Sequence, residues 1–584
     1  MSIVTVRRIS QVFFVVVFVW FCVVSTLGDL PWQMRGWPIN WLLELDPLVG
    51  IATLLSTRTL YAGLLWGLVT VALTLVLGRV FCGWICPFGA MHQFMGYLGR
   101  RRKKLAAHLE ANRFRPAQAI KYYILVFFLT AAILLPAGWL SSGSLLTGLL
   151  DPLPLVHRSV NLILLPLADR AGLGPSPLPR WYEGAWLIGA VFLAALFLNL
   201  RVPRFYCRFV CPLGALLGVL SRFAVWRIGR TEEGCTDCRL CERNCEGACE
   251  PTGRIRISEC VMCLNCLDEC RHDAVTYRTR PSAGGELLLP DLARRGFIVS
   301  AVSGVMAAPV MRLGGVTGPN WNPSLIRPPG ALPEEAFLAR CIKCGQCMRV
   351  CPTNVIHPAG LEAGLEGLWT PKLSFRAGTS GCQHTCIACG NLCPTAAIRP
   401  IRLDERRGIN EFSGRGPIRI GTAFVDRGRC LPWAMDRPCI VCQENCPVSP
   451  KAIFTREIFN AVRTSAPLIL KSADRSRLTL TADTLEPGRF GTGDYHALLP
   501  GGLRLRITAS TAGALELERP LAGPEAPPPG SPVSLQVRLQ QPYVDPKQCI
   551  GCGVCEHECP VLGLRAIRVT AENESRNPHH RMVL

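Results

Sequence analysis

The spacing of the cysteines is the strongest constraint on how this chain can fold. The sequence contains 30 cysteines, and 24 of them fall into six runs of four with nearly the same spacing. The most regular run is Cys341-x2-Cys344-x2-Cys347-x3-Cys351, and it is followed by Pro352. In runs of this kind three cysteines bind one [4Fe–4S] cluster and the fourth binds the neighbouring cluster. The spacing therefore predicts three pairs of runs and six [4Fe–4S] clusters.

Pairing gives each predicted cluster three cysteines from one run and the last cysteine of the neighbouring run. The six predicted ligand sets are Cys235, Cys238, Cys241 and Cys270; Cys260, Cys263, Cys266 and Cys245; Cys341, Cys344, Cys347 and Cys393; Cys382, Cys386, Cys389 and Cys351; Cys430, Cys439, Cys442 and Cys559; and Cys549, Cys552, Cys555 and Cys446. All 24 regularly spaced cysteines are used once in this assignment.

The first run lacks the final proline, and two later runs depart from the regular spacing. Cys245 is not followed by proline, and Cys249, which has a proline two residues later, is an alternative ligand; we prefer Cys245. The first gap is x3 in the run that begins at Cys382 and x8 in the run that begins at Cys430. We expect the clusters to tolerate both changes, because the last three cysteines of each run keep their register.

Disulfides and zinc sites are the other common uses of many cysteines. Disulfides suit small secreted chains that lack a core, whereas this chain has 584 residues, of which 49% are hydrophobic. Tetrahedral zinc sites need two Cys-x2-Cys pairs, and they do not require a third cysteine at x2 and a fourth at x3 before a proline. Both alternatives are therefore disfavoured.

The first 200 residues contain long apolar runs that predict membrane-spanning helices. A helix needs roughly 20 apolar residues to cross the hydrocarbon core. The four predicted spans are approximately Ile9–Leu27, Leu60–Val80, Ile120–Leu140 and Ala185–Leu200. A cleaved signal peptide is the alternative for the first run, but no small-residue cleavage site follows it and further spans come later.

Basic residues predict the orientation of these spans, because lysine and arginine in short loops stay on the cytoplasmic side. Arg7 and Arg8 precede the first span, and eight basic residues but a single acid, Glu110, lie in the loop between the second and third spans. Both segments are therefore predicted to be cytoplasmic. The segments 28–59 and 141–184 are predicted to lie on the opposite face.

The two predicted outer segments carry few basic residues, and their acids, including Asp46 and Asp151, roughly balance them. The formal net charge of +21 is then partly a consequence of membrane topology. A nucleic-acid partner is the other explanation of a basic chain, but the densest basic run lies between two apolar spans, where orientation explains it. We therefore expect no nucleic-acid partner.

Residues 79–90 and 204–215 form a short internal repeat, and each copy follows an apolar span and contains Cys-x3-Cys-Pro. The four cysteines of the repeat are Cys82, Cys86, Cys207 and Cys211. The repeat predicts that these thiols face one another on one side of the membrane. They could bind a shared metal or cluster, form two redox-active dithiols, or be small apolar residues of a repeated structural turn.

These motifs resemble a known family of ferredoxin-type proteins. Cys-Gly-Trp-Ile-Cys-Pro-Phe-Gly-Ala from Cys82 and Cys-Arg-Phe-Val-Cys-Pro-Leu-Gly-Ala from Cys207, followed by the runs at 235–270, resemble the membrane-bound NapH-type subunit of periplasmic nitrate reductase systems. Residues 294–584 resemble its periplasmic four-cluster NapG-type partner and the MauN/MauM-type relatives beside methylamine dehydrogenase. The resemblance covers nearly the whole chain and implies a fusion of the two proteins.

The predicted fold class is an α-helical membrane domain with α+β ferredoxin-like modules of two [4Fe–4S] clusters and a small β insertion. Residues 478–481, 503–507 and 533–537 alternate apolar with polar side chains, as half-buried strands do. The predicted domains are 1–228 (four membrane helices), 229–285 (cytoplasmic two-cluster module), 294–313 (fifth membrane helix), 335–403 (periplasmic two-cluster module) and 420–572 (second periplasmic module, with the β insertion at about 466–541).

Residues 296–312 decide the predicted placement of the clusters. This stretch has only modest hydrophobicity, so a buried connector is an alternative to a fifth span. Arg294 and Arg295 at its start favour a span with a cytoplasmic entrance, and they resemble a twin-arginine export signal. If residues 296–312 cross the membrane, two clusters lie in the cytoplasm and four in the periplasm. The predicted location is the bacterial cytoplasmic membrane, with several spans.

Clusters of this kind transfer single electrons, so an array of six predicts an electron carrier rather than a catalyst. The resemblance implies quinol as donor, although a cytoplasmic donor is an alternative, and a periplasmic redox enzyme or cytochrome as partner. If the chain is an enzyme, it is predicted to be a component of a quinol dehydrogenase. His92 and His157 are candidate proton acceptors for quinol. A maturation factor that supplies electrons for cofactor formation and a redox-sensing regulator are the other two hypotheses.

Charged residues beside the runs have two interpretations. Lys343, Gln346 and Arg349 beside the third run, and Arg239 and Arg243 beside the first, would favour the reduced state of their clusters if they lie close to them. The alternative is that they are solvated surface residues.

Overall fold

The computed structural model describes residues 2–26, 38–101, 105–133, 143–176, 179–313, 322 and 324–577. The chain forms two compact units. The first comprises residues 1–379 and 385–418, and the second comprises residues 380–384 and 419–584.

The N-terminal part of the first unit is almost entirely helical. Its α-helices are α1 (Ile3–Val24), α2 (Trp41–Glu44), α3 (Pro47–Thr57), α4 (Gly67–Leu77), α5 (Pro87–Arg100), α6 (Leu105–Ala111), α7 (Ile120–Ala132), α8 (Pro152–Ser159), α9 (Leu165–Arg170), α10 (Ala185–Phe197), α11 (Phe205–Phe209) and α12 (Pro212–Leu220). Helices α3, α5 and α12 each begin at a proline, whose fixed φ and missing N–H suit the first helical position.

Within the described residues, only α1 is both long and apolar enough by itself to cross a membrane. Pro38–Glu44 and Pro47–Thr57 pass the same test together, as a pair bent by 84°. Ala62–Leu77 and Ala185–Leu200 are shorter apolar helices at two of the predicted spans. Residues 27 and 134–140, at the ends of the first and third predicted spans, lie outside the described residues.

The region that carries the first two cysteine runs is a small α+β fold. Its elements are β1 (Arg227–Arg230), α13 (Leu240–Arg243), β2 (Ile255–Arg256), α14 (Asn265–Glu269), β3 (Val275–Arg278) and β4 (Glu286–Leu287). Strand β1 pairs antiparallel with β3, and β2 pairs parallel with β4. We call residues 227–287 the first ferredoxin region.

A 20-residue helix, α15 (Arg294–Leu313), follows and packs along α7. The rest of the first unit contains α16 (Glu334–Leu338), α17 (Gln346–Arg349), β5 (Ile356–Pro358), β6 (Pro371–Leu373), α18 (Ala388–Asn391) and α19 (Leu403–Arg407). Strands β5 and β6 pair antiparallel. We call residues 324–418, apart from the segment 380–384, the second ferredoxin region.

The second unit combines short cysteine-bearing helices with a β-barrel. Its elements are β7 (Thr422–Val425), α20 (Leu431–Ala434), α21 (Val441–Glu444), β8 (Ile453–Ala461), β9 (Leu468–Asp474), β10 (Arg477–Leu480), β11 (Tyr495–Leu498), β12 (Arg504–Ser510), β13 (Ala514–Leu517), β14 (Pro532–Val544), α22 (Val554–Glu558) and β15 (Ile567–Thr570).

The strands of the predicted β insertion form a closed sheet. The order is β11-β12-β13-β10-β9-β14, and β11 also pairs with β14, so these strands close a ring. Alternate residues such as Leu478, Ile507 and Val537 point inward and are fully buried. Strand β8 adds to the outside edge of β14. The sheet therefore extends from residue 453 to residue 544, beyond the predicted bounds of the insertion.

Candidate metal centres

Three cavities are each lined by the four cysteines of one predicted ligand set. One lies in the first ferredoxin region, and the other two lie in the second unit. Their cysteines are Cys235, Cys238, Cys241 and Cys270; Cys430, Cys439, Cys442 and Cys559; and Cys446, Cys549, Cys552 and Cys555. In each case the fourth thiol comes from the neighbouring run.

The arrangement of these thiols suits a cluster better than a single ion. Within the residues that the structure describes, no three Cys, His, Asp or Glu side chains converge closely enough to hold one metal ion. Thiols around a cavity suit a polynuclear group, because its own iron and sulfide atoms fill the space between them. Burial raises the pKa of Cys241 to about 12 and that of Cys442 to about 12. Cluster binding must therefore displace thiol protons.

The third predicted set is also brought together in the first unit. Cys341, Cys344 and Cys347 lie close enough to Cys393 for their thiol groups to interact electrostatically. The fourth set does not lie within one unit. Cys351, Cys386 and Cys389 belong to the first unit, whereas Cys382 belongs to the second, where its N–H donates to Cys552 O at 2.7 Å.

The second set contains the open choice between Cys245 and Cys249. The two Sγ atoms are 3.2 Å apart, and the Cys249 N–H donates to Cys245 Sγ at 3.3 Å. The Cys249 thiol also contacts Cys260. The structure therefore places both candidate ligands beside the rest of this set.

Serine substitutions distinguish these two cysteines. Cys245→Ser is expected to reduce the iron content of purified protein by about one sixth, because one of six clusters loses a ligand. Cys249→Ser is expected to retain full iron, as measured by iron and sulfide analysis under anaerobic conditions. The reverse pattern would reassign the ligand to Cys249.

The two Cys-x3-Cys-Pro motifs lie together in the helical part of the first unit. Cys86 and Cys211 cap the first turns of α5 and α12, where their Sγ atoms accept hydrogen bonds from Gly89 N and Gly214 N at 3.4 and 3.1 Å. Cys82 lies close enough to both capping thiols to interact with them electrostatically. The predicted proximity of the four thiols agrees with this geometry, and the capping bonds also give two of them a structural role.

Two acids of the first ferredoxin region reach these motifs, and sequence reasoning missed both. Glu246 pairs with Arg204 at 2.6 Å and with Arg7 at 3.5 Å, and all three side chains are buried. Burial alone would raise the pKa of Glu246, but Arg204 and Arg7 lower it to about 2. Arg204 also donates to the carbonyl oxygen of Cys82 at 3.0 Å. This ion pair therefore joins the loop at Cys245 to the first Cys-x3-Cys-Pro motif.

Glu259 makes the corresponding connection beside Cys260. Its carboxylate accepts a bond from Lys121 Nζ at 2.5 Å and from Gln118 Nε2 at 3.0 Å. Arg79, which precedes the first motif, donates to Ser258 O at 2.7 Å. No local pattern marks these acids, because their partners Arg204, Lys121 and Gln118 lie 42, 138 and 141 residues away along the chain.

The candidate proton acceptors His92 and His157 are both buried, at 0% and 2% exposure. His92 Nδ1 is hydrogen-bonded to the Asn199 side chain, and His157 Nδ1 contacts Asn161 Nδ2 at 2.9 Å. Both rings therefore lie inside the helical packing rather than at an open surface.

The residues beside the third run are not solvated surface groups. Lys343 is buried and donates to Leu145 O at 3.2 Å, and Gln346 accepts a bond from Asn161 at 3.1 Å. Arg349 pairs with Asp169 at 2.8 Å, and both side chains have 0% exposure. These contacts fix the third run against α9 and the preceding helices. Arg239, beside the first run, is exposed.

Asp46 and Asp151, which were counted among the acids of the two predicted outer segments, lie inside the helical part. Both are fully buried, and their carboxyl groups lie close enough to interact with each other. Asp46 also accepts the N–H of Leu48 at 2.9 Å at the start of α3. Two buried carboxyl groups in contact cannot both be ionised at low cost, so the pair is expected to hold one proton.

The Asp46–Asp151 pair gives a direct test of this shared proton. Asp151→Asn is expected to change the free energy of unfolding by less than about 1 kcal/mol, because the amide supplies a hydrogen for the bond. Asp151→Ala is expected to lower it by about 1–3 kcal/mol, since Asp46 loses its partner. Thermal unfolding of the detergent-solubilised protein measures both, and equal damage by the two variants would contradict the shared proton.

Comparison with known families identifies the domains. A model described as "4Fe-4S binding domain" matches residues 59–106 and 183–231, which contain the two Cys-x3-Cys-Pro motifs. A second model with the same description matches residues 338–357 and 542–564, which contain the whole of the third and of the sixth cysteine run. The chain contains ferredoxin-type 4Fe-4S binding domains. Iron–sulfur clusters are therefore the supported cofactor.

Three curated relatives support the same class. The chain is 28% identical to the putative electron transport protein YccM of Escherichia coli over 42% of this chain and 63% of the relative. It is 29% identical to the ferredoxin-type protein NapH of Escherichia coli, over 41% and 77%. It is 33% identical to the methylamine utilization ferredoxin-type protein MauM of Methylophilus methylotrophus, over 24% and 55%.

The similarities to NapH and MauM confirm the predicted resemblance to proteins of these two types. Each relative covers less than half of this chain. No solved structure is significantly similar to the chain.

Proposed function

We propose that this protein is a membrane-anchored carrier that passes electrons through six [4Fe–4S] clusters between the quinol pool, or a cytoplasmic donor, and a periplasmic redox enzyme or cytochrome. When bound, each cluster accepts or donates one electron. The cysteine runs supply the thiolates that hold the clusters. Similarity to a putative electron transport protein supports this role.

The observation that carries the proposal is that the two ferredoxin regions contact opposite ends of α1. Near the start of α1, Arg7 donates to Cys263 O and pairs with Glu246 in the first region. At its end, Val24 packs with Val350 and Leu392 of the second region. A helix of 22 residues is about 33 Å long. This length is close to the hydrocarbon thickness of roughly 30 Å.

Helix α15 makes a second connection between the same two regions. Just before it, the Ala293 N–H donates to the Tyr123 hydroxyl at 2.9 Å, near the start of α7. At its end, Arg312 pairs with Glu366 of the second region at 2.8 Å. Helix α15 is not hydrophobic enough to meet the length and composition requirements for a membrane span that α1 meets. The contacts at its two ends nevertheless favour a spanning helix over a buried connector.

The surfaces of these helices support contact with lipid. Val12, Val16 and Trp20 of α1 are each 60–64% exposed. Ile298, Val299 and Val302 of α15 are 57–63% exposed. Contiguous apolar surface of this kind marks interaction sites in a soluble protein and lipid contact in a membrane protein. Basic residues next to the first region favour a cytoplasmic location for that end, and with it a periplasmic location for the second region.

Oriented membrane vesicles test the count and the placement of the clusters together. Anaerobic protein is expected to contain about 24 iron atoms per chain, four for each of six clusters. Protease added from the periplasmic side is expected to cleave within residues 335–577 and to spare residues 229–285. Cleavage of both segments from the same side would overturn the proposed topology.

Quinol is tested separately as the donor. A soluble quinol analogue added to anaerobic, oxidised protein is expected to bleach the cluster absorbance in the visible range. Dithionite provides the positive control for reducible clusters. Bleaching by dithionite but not by the quinol analogue would leave a cytoplasmic donor as the source of electrons.

Similarity to a methylamine utilization protein favours a second candidate function, the supply of electrons for cofactor formation in a periplasmic enzyme. A deletion strain distinguishes the two. Loss of respiratory electron flow with fully assembled partner enzyme supports the carrier, whereas partner enzyme that lacks its cofactor supports maturation.

A further inference from the structure

A polar cavity of about 370 Å³ lies in the first unit, between the helical part and the first ferredoxin region. It is bounded by the start of α1, the end of α5, helix α6, the loop at Asn244 and helix α14. The basic and aromatic side chains in its wall are Arg7, Arg8, Arg100, Arg101, His108 and Tyr97. We call it the basic cavity.

The charges around the basic cavity favour an anion. Four guanidinium groups line the wall together with three carboxylates. Two of the carboxylates have arginine partners outside the cavity: Glu269 pairs with Arg243 at 3.0 Å, and Glu246 pairs with Arg204 at 2.6 Å in addition to Arg7 of the wall at 3.5 Å. The remaining charge is therefore positive, as in pockets that bind phosphate groups.

Two polar atoms in the wall lack a partner. Arg100 Nη1 and His108 Nδ1 are buried and have no hydrogen-bond partner among the described residues. His108 Nε2 is engaged with Arg100 O at 3.0 Å, which fixes the ring beside the arginine. A buried guanidinium donor without an acceptor is costly, so Arg100 Nη1 indicates a missing acceptor group.

The basic cavity lies at one end of the apolar surface of α1. Val4, Arg7 and Arg8 line it, and the exposed side chains of Ile9 and Val12 follow directly along the helix. A ligand with an anionic head and apolar chains would fit both features. We infer that the basic cavity binds a phosphate group, and that its occupant in the membrane is the headgroup of an anionic phospholipid whose acyl chains lie along α1.

The proposed phosphate-binding site is argued from the residues of the cavity alone. The proposal that the bound phosphate belongs to a lipid rests, in addition, on the proposed membrane anchoring. The cavity wall includes Asn244 and Asn265, the neighbours of Cys245 and Cys266 in the second predicted ligand set. A bound anion would therefore add negative charge near this cluster and disfavour its reduction. Lipid composition would then influence electron transfer through the first ferredoxin region.

Lipid binding to delipidated, cluster-loaded protein in detergent tests the inference. Native mass spectrometry is used to compare phosphatidylglycerol with phosphatidylcholine of the same acyl chains. Phosphatidylglycerol is expected to bind about tenfold more tightly, because both lipids carry the phosphodiester but only phosphatidylcholine adds a trimethylammonium group, which the arginines of the basic cavity repel. Arg100→Gln is expected to remove most of this preference. Arg280→Gln, which changes an exposed arginine outside the cavity, should retain it.

The comparison of lipids on unaltered protein does not depend on the folding of a variant, and cluster absorbance monitors the folding of Arg100→Gln. Binding of inorganic phosphate at millimolar concentration is measured as a third comparison. Phosphate binding without a preference between the lipids would retain the phosphate site and reject the lipid source. Equal binding of both lipids together with no binding of phosphate would overturn the inference. Neither result depends on the vesicle test of topology.

Discussion

Replacing Arg349 by methionine is expected to lower the free energy of unfolding of the first unit by about 3–5 kcal/mol, because it leaves a buried carboxylate without its partner. The Arg349 guanidinium donates to both oxygens of Asp169, at 2.8 and 3.4 Å. Neither side chain is exposed to solvent. The pair joins α17, which carries a cysteine of the third run, to α9. Loss of the third cluster is therefore expected to accompany the loss of stability.

The double variant Arg349→Met with Asp169→Leu separates the charge effect from packing. Because both charges are removed, it is expected to recover most of the lost stability. Arg376→Met, at an exposed arginine of the same region, is the matched control and should change stability by less than about 0.5 kcal/mol. Thermal unfolding followed by cluster absorbance measures all three. A double variant as unstable as Arg349→Met alone would contradict the account.

Substitution of Val302 by arginine is expected to prevent α15 from crossing the membrane and to keep residues 324–577 on the cytoplasmic side. An arginine at the centre of a span costs about 2.5–3.5 kcal/mol on insertion scales. Val302 lies near the middle of α15 and is 57% exposed, so the added charge would face lipid. The helix has little hydrophobicity to offset this cost, since it does not meet the hydropathy requirement for a membrane span that α1 meets.

Protease protection in oriented vesicles measures the effect of Val302→Arg. Phe297→Arg is the matched control, because position 297 lies beside Arg294 and Arg295, where an arginine can reach the interface. The control is expected to keep periplasmic cleavage sites in residues 335–577. If Val302→Arg also keeps these sites, α15 does not span the membrane.

Local spacing was sufficient to predict which cysteines line three of the cavities together. A cysteine run places its thiols by short loops, so the crossed pairing of Cys430, Cys439 and Cys442 with Cys559 could be expected without the fold. Three cavities are lined by such crossed sets. Alternating residues likewise predicted strands near 478, 505 and 535, because the period of a strand is local.

The lengths of the helices were less predictable. Apolar composition predicted four spans near the N-terminus, but only α1 meets the length requirement by itself among the described residues. The second predicted span is a 3-10 helix, Ala62–Trp66, followed by α4, and α4 ends before Gly78, whose φ is +77°, so local backbone geometry divides this apolar run. Hydropathy averaged over a window does not detect such breaks.

The sequence by itself determined which residues can bind iron and sulfide, since that chemistry depends on cysteines at fixed short intervals. Only the tertiary structure decided which charged side chains are buried and which groups they pair with. Glu246 meets Arg204, and Arg349 meets Asp169 across 180 residues. Burial of a charge is tolerated only with a partner, and long-range packing, which no local pattern encodes, supplies it.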